Sequence, residues 1–252
     1  MARLQGKFAI VTGGAQGLGK ADCEILVKEG ARVAITDVKT IEGEALAAEL
    51  NRQRHGAAFF MQHDVRDEQR WQEVIERTVR EFGGLNVLVN NAGMVIPATP
   101  ESTTLEQFRL HNAVMNEGTF LGCKYAIPAM NASGGGSIIN MASIATHLGY
   151  PVFFAYSAAK GAVRGMTKSI AIWCQMQKYN IRCNSLHPGA TDTPMITEAN
   201  RVLGIPEEYY TQSGPGLGRP VDVANVVAFL ASDESRFING AELLLDNALT
   251  IQ

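Results

Sequence analysis

Short apolar, β-favouring runs alternate with longer amphipathic stretches along the whole chain. The runs at 7–12 (KFAIVT), 32–36 (RVAIT), 57–61 (AAFFM), 86–90 (NVLVN), 136–141 (GSIINM), 181–186 (IRCNSL) and 241–245 (AELLL) read as buried strands. Segments near 17–29, 41–54, 67–82, 104–130, 153–178 and 221–231 read as helices. This order predicts a parallel seven-stranded sheet with helices on both faces, an α/β doubly wound arrangement built from right-handed crossovers. No linker, low-complexity segment or internal repeat interrupts the pattern, so 1–252 is read as a single domain.

Composition narrows the field of functions. The chain has 252 residues, 46% of them apolar, and a formal net charge of −3. That balance leaves no electrostatic footprint for nucleic acid or an anionic membrane. Small-molecule chemistry fits better. Cys23, Cys123, Cys174 and Cys183 have no metal-ligand or CxxC spacing, and they read as reduced structural thiols of a cytoplasmic protein; no metal site is expected. The first residues carry no signal-peptide pattern, and no apolar run approaches the roughly 20 residues that span a bilayer.

In a doubly wound sheet, ligands collect beyond the carboxyl ends of the strands, where the strand order reverses. The first predicted strand empties there into Thr12-Gly13-Gly14-Ala15-Gln16-Gly17-Leu18-Gly19, and a helix follows. Glycines in this turn let backbone approach a pyrophosphate, and the helix N-terminus offers it free N–H groups. Gly13, Gln16, Gly17, Leu18 and Gly19 are therefore candidate dinucleotide contacts in a Rossmann-type fold. Asp37 ends the second strand, eighteen residues after Gly19. A carboxylate there accepts hydrogen bonds from the adenine ribose and repels a 2′-phosphate, which favours NAD over NADP, although Lys39 stands close by. Asp64 and Val65 close the third strand, and Asn90, Asn91, Ala92 and Gly93 close the fourth, so both groups line the same crevice.

Tyr156 and Lys160 are four apart on a predicted helix and share a face. Ser143 ends the fifth strand, and Asn116 falls within the long helix before it. With TGxxxGxG at 12–19, NNAG at 90–93, Asn116, Ser143, YxxxK at 156–160 and PG at 188–189, the sequence resembles the short-chain dehydrogenase/reductase family over essentially its whole length. The resemblance implies hydride transfer between NAD(H) and an alcohol or ketone, with Asn116, Ser143, Tyr156 and Lys160 as catalytic tetrad. Tyr156 is then the acid and base. Its ordinary pKa of about 10 should be lowered by the Lys160 ammonium and a cationic nicotinamide. Ser143 would hydrogen-bond the substrate oxygen, Lys160 the nicotinamide ribose, and Asn116 a water leading from the lysine to solvent. Pro188, Gly189, Thr191 and Thr193 would lie against the nicotinamide carboxamide. His187, just before the Pro–Gly turn, is given no acid–base role.

Three segments are expected to wall the substrate: 94–96, 146–154 and a lid at 194–213. Leu148, Tyr150 and Phe153, with Ser143 and Tyr156, are the candidate contacts. Arg201 is the single lysine or arginine in these walls, which points to a hydrophobic secondary alcohol or ketone, a hydroxysteroid or an alicyclic alcohol. The family often carries Asp-Gly-Gly after its last strand. Here the sequence is Asp246-Asn247-Ala248, which leaves the geometry of that turn open. Family resemblance also implies a homotetramer using the 104–130 and 153–178 helices. The competing readings are an NADPH-dependent carbonyl or 3-oxoacyl reductase and a non-catalytic dinucleotide sensor. A sensor is expected to have lost members of the tetrad, and all four are present.

Overall fold

A computed structural model of the protein describes residues 2–206, 209–212 and 216–251. Its seven strands are β1 (Phe8–Thr12), β2 (Arg32–Asp37), β3 (Ala58–Gln62), β4 (Val87–Asn90), β5 (Gly136–Met141), β6 (Ile181–Pro188) and β7 (Glu242–Leu245). They form one sheet in the order β3-β2-β1-β4-β5-β6-β7, and every pairing is parallel. The order reverses between β1 and β4, so the crevice opens there, beyond Thr12 and Asn90.

Among the described residues there are nine α-helices: α1 (Gly17–Lys28), α2 (Thr40–Gln53), α3 (Glu68–Phe82), α4 (Leu105–His111), α5 (Gly118–Ala132), α6 (Phe154–Met176), α7 (Pro194–Leu203), α8 (Tyr209–Gln212) and α9 (Pro220–Ala231). The strands are apolar throughout because both faces of the sheet are covered. Ala9, Val11, Val33 and Ile35 pack with Cys23 and Leu26 of α1, Leu46 and Leu50 of α2, and Val223 and Val227 of α9. Ile10, Ala34, Leu88 and Ile138 face the other way, against Trp71 of α3, Leu121 of α5 and Cys174 of α6. Successive residues of one strand thus feed two separate cores.

Two predicted elements differ from the observed ones. The single helix expected over 104–130 is three pieces: α4, a π-helical turn over Asn112–Glu117, and α5. The lid expected at 194–213 is helical over α7 and α8, with residues 207, 208 and 213 outside the described set. Pro194 opens α7 as its first residue, behind the Thr193 side chain, which accepts a hydrogen bond from the Ile196 N–H. The C-terminal turn keeps the left-handed backbone without glycine. Asn247 has φ 48° and Ala248 φ 68°. Asp246 pins the turn by accepting from the N–H groups of Ala248 (3.2 Å) and Thr250 (2.8 Å).

One buried group works against folding. Asp22 on α1 is fully buried, and neither of its carboxylate oxygens has a hydrogen-bond partner among the described residues. Burial pushes its pKa well above the usual carboxylate range. The folded protein therefore keeps this proton at pH values where the unfolded chain releases it. Stability falls across that window, by up to about 1.4 kcal/mol per pH unit.

Asp22→Asn removes the ionisable group, so its melting temperature should exceed the wild type's by an increment that grows from pH 5 to pH 8. A constant increment would show that Asp22 is not held protonated. Ala248→Gly relieves a left-handed alanine and is expected to raise stability by about 1 kcal/mol in denaturant titration.

Candidate active site

The crevice begins at the glycine turn between β1 and α1. Gly13 has φ 63°, and a Cβ on Gly19 would lie 2.2 Å from the Gly13 carbonyl oxygen, so only glycine permits this fold-back. The Asn91 amide donates to the carbonyls of Thr12 (2.9 Å) and Gly13 (3.2 Å), and Thr12 Oγ1 accepts from the N–H groups of Asn91 and Ala92 (3.0 Å each). The NNAG segment is therefore a brace for the glycine turn. Asn90 points the other way, into the core, and donates to Asn140 Oδ1 at 2.9 Å.

A dinucleotide fits what this cradle leaves open. Gln16 places no side-chain cap over the first amides of α1, so they remain available to phosphate oxygens. Asp37 is buried at the tip of β2 and accepts from the N–H groups of Ala15 and Lys39, both at 3.0 Å. The Lys39 ammonium is drawn aside to Gln16 Oε1 at 2.7 Å. Asp64 is gripped by Arg66, with Nε at 2.9 Å and 3.0 Å from its two oxygens, which holds the carboxyl below its usual range. Val65 is buried against Gly118 and gives its carbonyl to the Trp71 indole N–H at 2.9 Å.

The strand ends also bring the turn after β6 onto the cradle. Thr193 lies 3.5 Å from where a Gly17 Cβ would stand, and Thr191 Oγ1 donates to the Gly189 carbonyl at 3.1 Å. Pro188 ends β6, and the Gly189 N–H donates to Leu245 of β7 at 2.9 Å. Gly93 is next to the lysine: a Cβ there would lie 3.7 Å from Lys160 Nζ.

The tetrad candidates arrive on three elements. Ser143 follows β5 and caps a short 3-10 helix over Ile144–Thr146, its Oγ accepting from the Ala145 N–H at 3.1 Å. Tyr156 stands in the first turn of α6, near enough to the Ser143 side chain for the serine to oppose the rise in its pKa. Lys160, one turn later, has its ammonium 5.7 Å from the Tyr156 ring centroid and donates to the Met141 carbonyl. It lies in the buried stripe of α6 with Ala159, Val163 and Thr167. Asn116 sits in the π-helical turn packed against α6, half-buried, with its amide 3.5 Å from Asn112 Oδ1. A π turn carries an extra residue and re-aims the side chains on it.

The electrostatics differ from the sequence expectation. Burial lowers the Lys160 pKa to about 8. Burial also raises the Tyr156 phenol above its ordinary value, and the hydrogen bond from Ser143 only opposes that rise. The expected lowering of Tyr156 is therefore absent in the protein alone, where desolvation of the phenol is the largest influence.

The second wall packs beside Tyr156. Ala98, two residues past the first wall, bridges to Phe153 of the second, the Ala98 N–H donating to the Val152 carbonyl at 2.8 Å. Rings run from Tyr156 through Phe153 (6.4 Å between centroids) to Tyr150 (6.0 Å). Burial raises the Tyr150 phenol, and Tyr209, Tyr210 and Asp246 add to that rise. Leu148 is half-buried after the serine turn. No sequence signal points to His111, which fixes the first wall by accepting from the Ile96 N–H at 3.1 Å and contacting the Gln107 carbonyl through Nδ1 at 2.7 Å.

The chain is similar to known proteins over nearly its whole length. A family model described as Enoyl-(Acyl carrier protein) reductase matches residues 13–250. The chain is 42% identical to 3-beta-hydroxysteroid dehydrogenase of Comamonas testosteroni, covering 98% of this chain and 97% of that one. It is 39% identical to NADP-dependent (R)-specific alcohol dehydrogenase of Lentilactobacillus kefiri, covering 99% of each. The fold is similar to the crystal structure of levodione reductase, with a TM-score of 0.92, 30% identity, and 98% and 99% of the two chains aligned.

Because the buried ammonium of Lys160 costs stability only while charged, Lys160→Met should melt above the wild type at pH 7. That advantage should narrow as pH rises from about 8 towards the unfolded-state value near 10.4, a trend readable by calorimetry. An advantage that does not change with pH would contradict the lowered lysine.

Proposed function

This chain belongs to the short-chain dehydrogenase/reductase family, and on that premise we propose that it is an NAD(H)-dependent oxidoreductase interconverting a hydrophobic secondary alcohol and its ketone. The observation that carries the reading is the convergence of Ser143, Tyr156 and Lys160 beside the glycine-turn crevice. The substrate class we infer is a hydroxysteroid or an alicyclic alcohol. Aromatic rings of Tyr150, Phe153 and Tyr156 line its side of the site, and Arg201, the one cation in the walls, is already paired with Glu198 at 2.6 Å. An acidic or phosphopantetheine-linked substrate finds no free positive charge there. The names of the hydroxysteroid and alcohol dehydrogenase relatives support the same class.

In this reading the first amides of α1 hold the pyrophosphate, and Gly13, Gln16, Gly17, Leu18 and Gly19 shape that contact. Asp37 takes the adenine ribose, with Asp64, Val65, Asn91, Ala92 and Gly93 lining the rest of the crevice. Pro188, Gly189, Thr191 and Thr193 lie against the nicotinamide, and Lys160 binds its ribose. The bound dinucleotide supplies the hydride acceptor for oxidation and the hydride donor for reduction. Ser143 donates a hydrogen bond to the substrate oxygen, stabilising charge that develops there. Tyr156 takes the proton from that oxygen during oxidation and returns it during reduction. Asn116 orders the water through which Lys160 exchanges protons with solvent.

Asp37 supports NAD over NADP, because its buried carboxylate occupies the place where a 2′-phosphate would need positive charge. The NADP-dependent relative makes Lys39 the residue to watch. We also infer a cytoplasmic homotetramer. All four cysteines are free and buried, and α5 and α6 expose Phe120, Ile172, Trp173 and Met176 as an apolar face. The 194–213 segment serves as the lid. No described helix is long and apolar enough to cross a membrane.

Nicotinamide absorbance with a panel of steroids, cyclic alcohols and aryl ketones tests the reading. Turnover of an apolar alcohol with NAD is expected, and Tyr156→Phe should lower kcat/KM by about 10²–10⁴ while NADH still binds. Tighter binding of NADPH than NADH would overturn the role given to Asp37, and unchanged turnover in Tyr156→Phe would remove the chemistry.

A further inference from the structure

His187, at the end of β6, is fully buried and makes no contact that the proposed chemistry uses. Its ring is nonetheless held at both nitrogens. Nε2 lies 2.9 Å from Ser185 Oγ, and Nδ1 lies 3.1 Å from the main-chain carbonyl oxygen of Ser143. A carbonyl only accepts, so Nδ1 carries the proton and Nε2 accepts from Ser185. Burial keeps the ring neutral, its pKa pushed down to about 4. Thr146 Oγ1 donates to the same Ser143 carbonyl at 2.9 Å and lies 3.0 Å from His187 Nδ1.

Around this point a polar cluster ties the serine turn to the helix bearing Tyr156 and Lys160. His147 Nε2 is 3.2 Å from His187 Nδ1 and 3.4 Å from Glu242 Oε2 on β7. Glu242 is gripped by Arg164 (2.8 Å) and Lys168 (2.6 Å), which stand one and two turns beyond Lys160 on α6. Arg164 also donates to the Thr146 carbonyl at 3.0 Å. His147, His187 and Glu242 have a metal-like spacing, with ligand atoms within 4.8 Å of one another. Two cations already neutralise the carboxylate, and Nδ1–H is committed to a carbonyl, so the cluster is built for hydrogen bonding.

We propose that His187 is a positioning residue for Ser143. It acts through the serine's main-chain carbonyl, and the Thr146–His147–Glu242–Arg164 cluster keeps that turn in register with Tyr156. The inference rests on the role given to Ser143 above. An error in the angle of a hydroxyl aimed at a developing oxyanion lowers turnover with little change in binding.

A double-mutant cycle tests it. His187→Leu should lower kcat about tenfold or more, with KM and the dissociation constant for NADH within about twofold of wild type. In a Ser143→Ala background the same substitution should cost less than about twofold. His187→Asn, whose amide N–H can stand in for Nδ1–H, should recover most of the loss. Thr146→Val removes the second donor at a half-buried site and should give a smaller loss that also vanishes with Ser143→Ala. It carries the cycle if His187→Leu does not fold. Losses that add to that of Ser143→Ala, or no rescue by asparagine, would overturn this inference and leave the role of Ser143 standing. Full turnover in Ser143→Ala alone would remove both.

Discussion

Everything at this site turns on putting a phenol and an ammonium together in a place that favours neither charge. Lys160 stands in the apolar stripe of α6, and burial drops its pKa to about 8. Tyr156, one turn earlier, is pushed up by the same desolvation. In the protein alone the phenol is neutral near pH 7, and the lysine is still largely charged but holds its proton less firmly, its amine donating to the Met141 carbonyl. Such a pair responds strongly to any new charge, because the water that would screen it has been excluded. This sensitivity is the physical reason to couple proton transfer at Tyr156 to binding in the adjacent crevice.

The sheet makes that coupling geometric. The carboxyl ends of β1, β4, β5 and β6 deliver the glycine turn, its Asn91 brace, Ser143 and the 188–193 turn to one edge. Thr193 meets Gly17 across the crevice, so the turn after β6 and the turn after β1 bound the same space. The π-helical turn at Asn112–Glu117 interrupts the regular helix between α4 and α5, and it carries Asn116. Irregular backbone is concentrated where side chains must be aimed.

Much of this was legible in the sequence, for identifiable reasons. Strands buried on two faces leave near-continuous apolar runs, so all seven could be placed to within two residues, and the turns after them could be named. Tyr156 and Lys160 announce themselves by their spacing of four on a helix. The π turn was not legible, since nothing in NAVMNE distinguishes it from ordinary helix. The bracing role of Asn91 was not legible, because sequence shows an asparagine at the crevice and not the glycine-turn carbonyls that take its amide. The roles of His111 and His187 depend on long-range contacts to Ile96 and Ser143. The raised Tyr156 of the protein alone was not legible either, because it comes from desolvation, which the spacing of residues does not show.

The most direct measurement is a titration of Tyr156 by ultraviolet phenolate absorbance, with Tyr156→Phe as the blank, in the absence and presence of saturating NAD+. The account predicts a phenol that ionises above the ordinary tyrosine value in the protein alone and moves to distinctly lower pH when NAD+ is bound. A Tyr156 midpoint that stays in place on addition of NAD+ would contradict it, because phenol, lysine and dinucleotide would then not share one site.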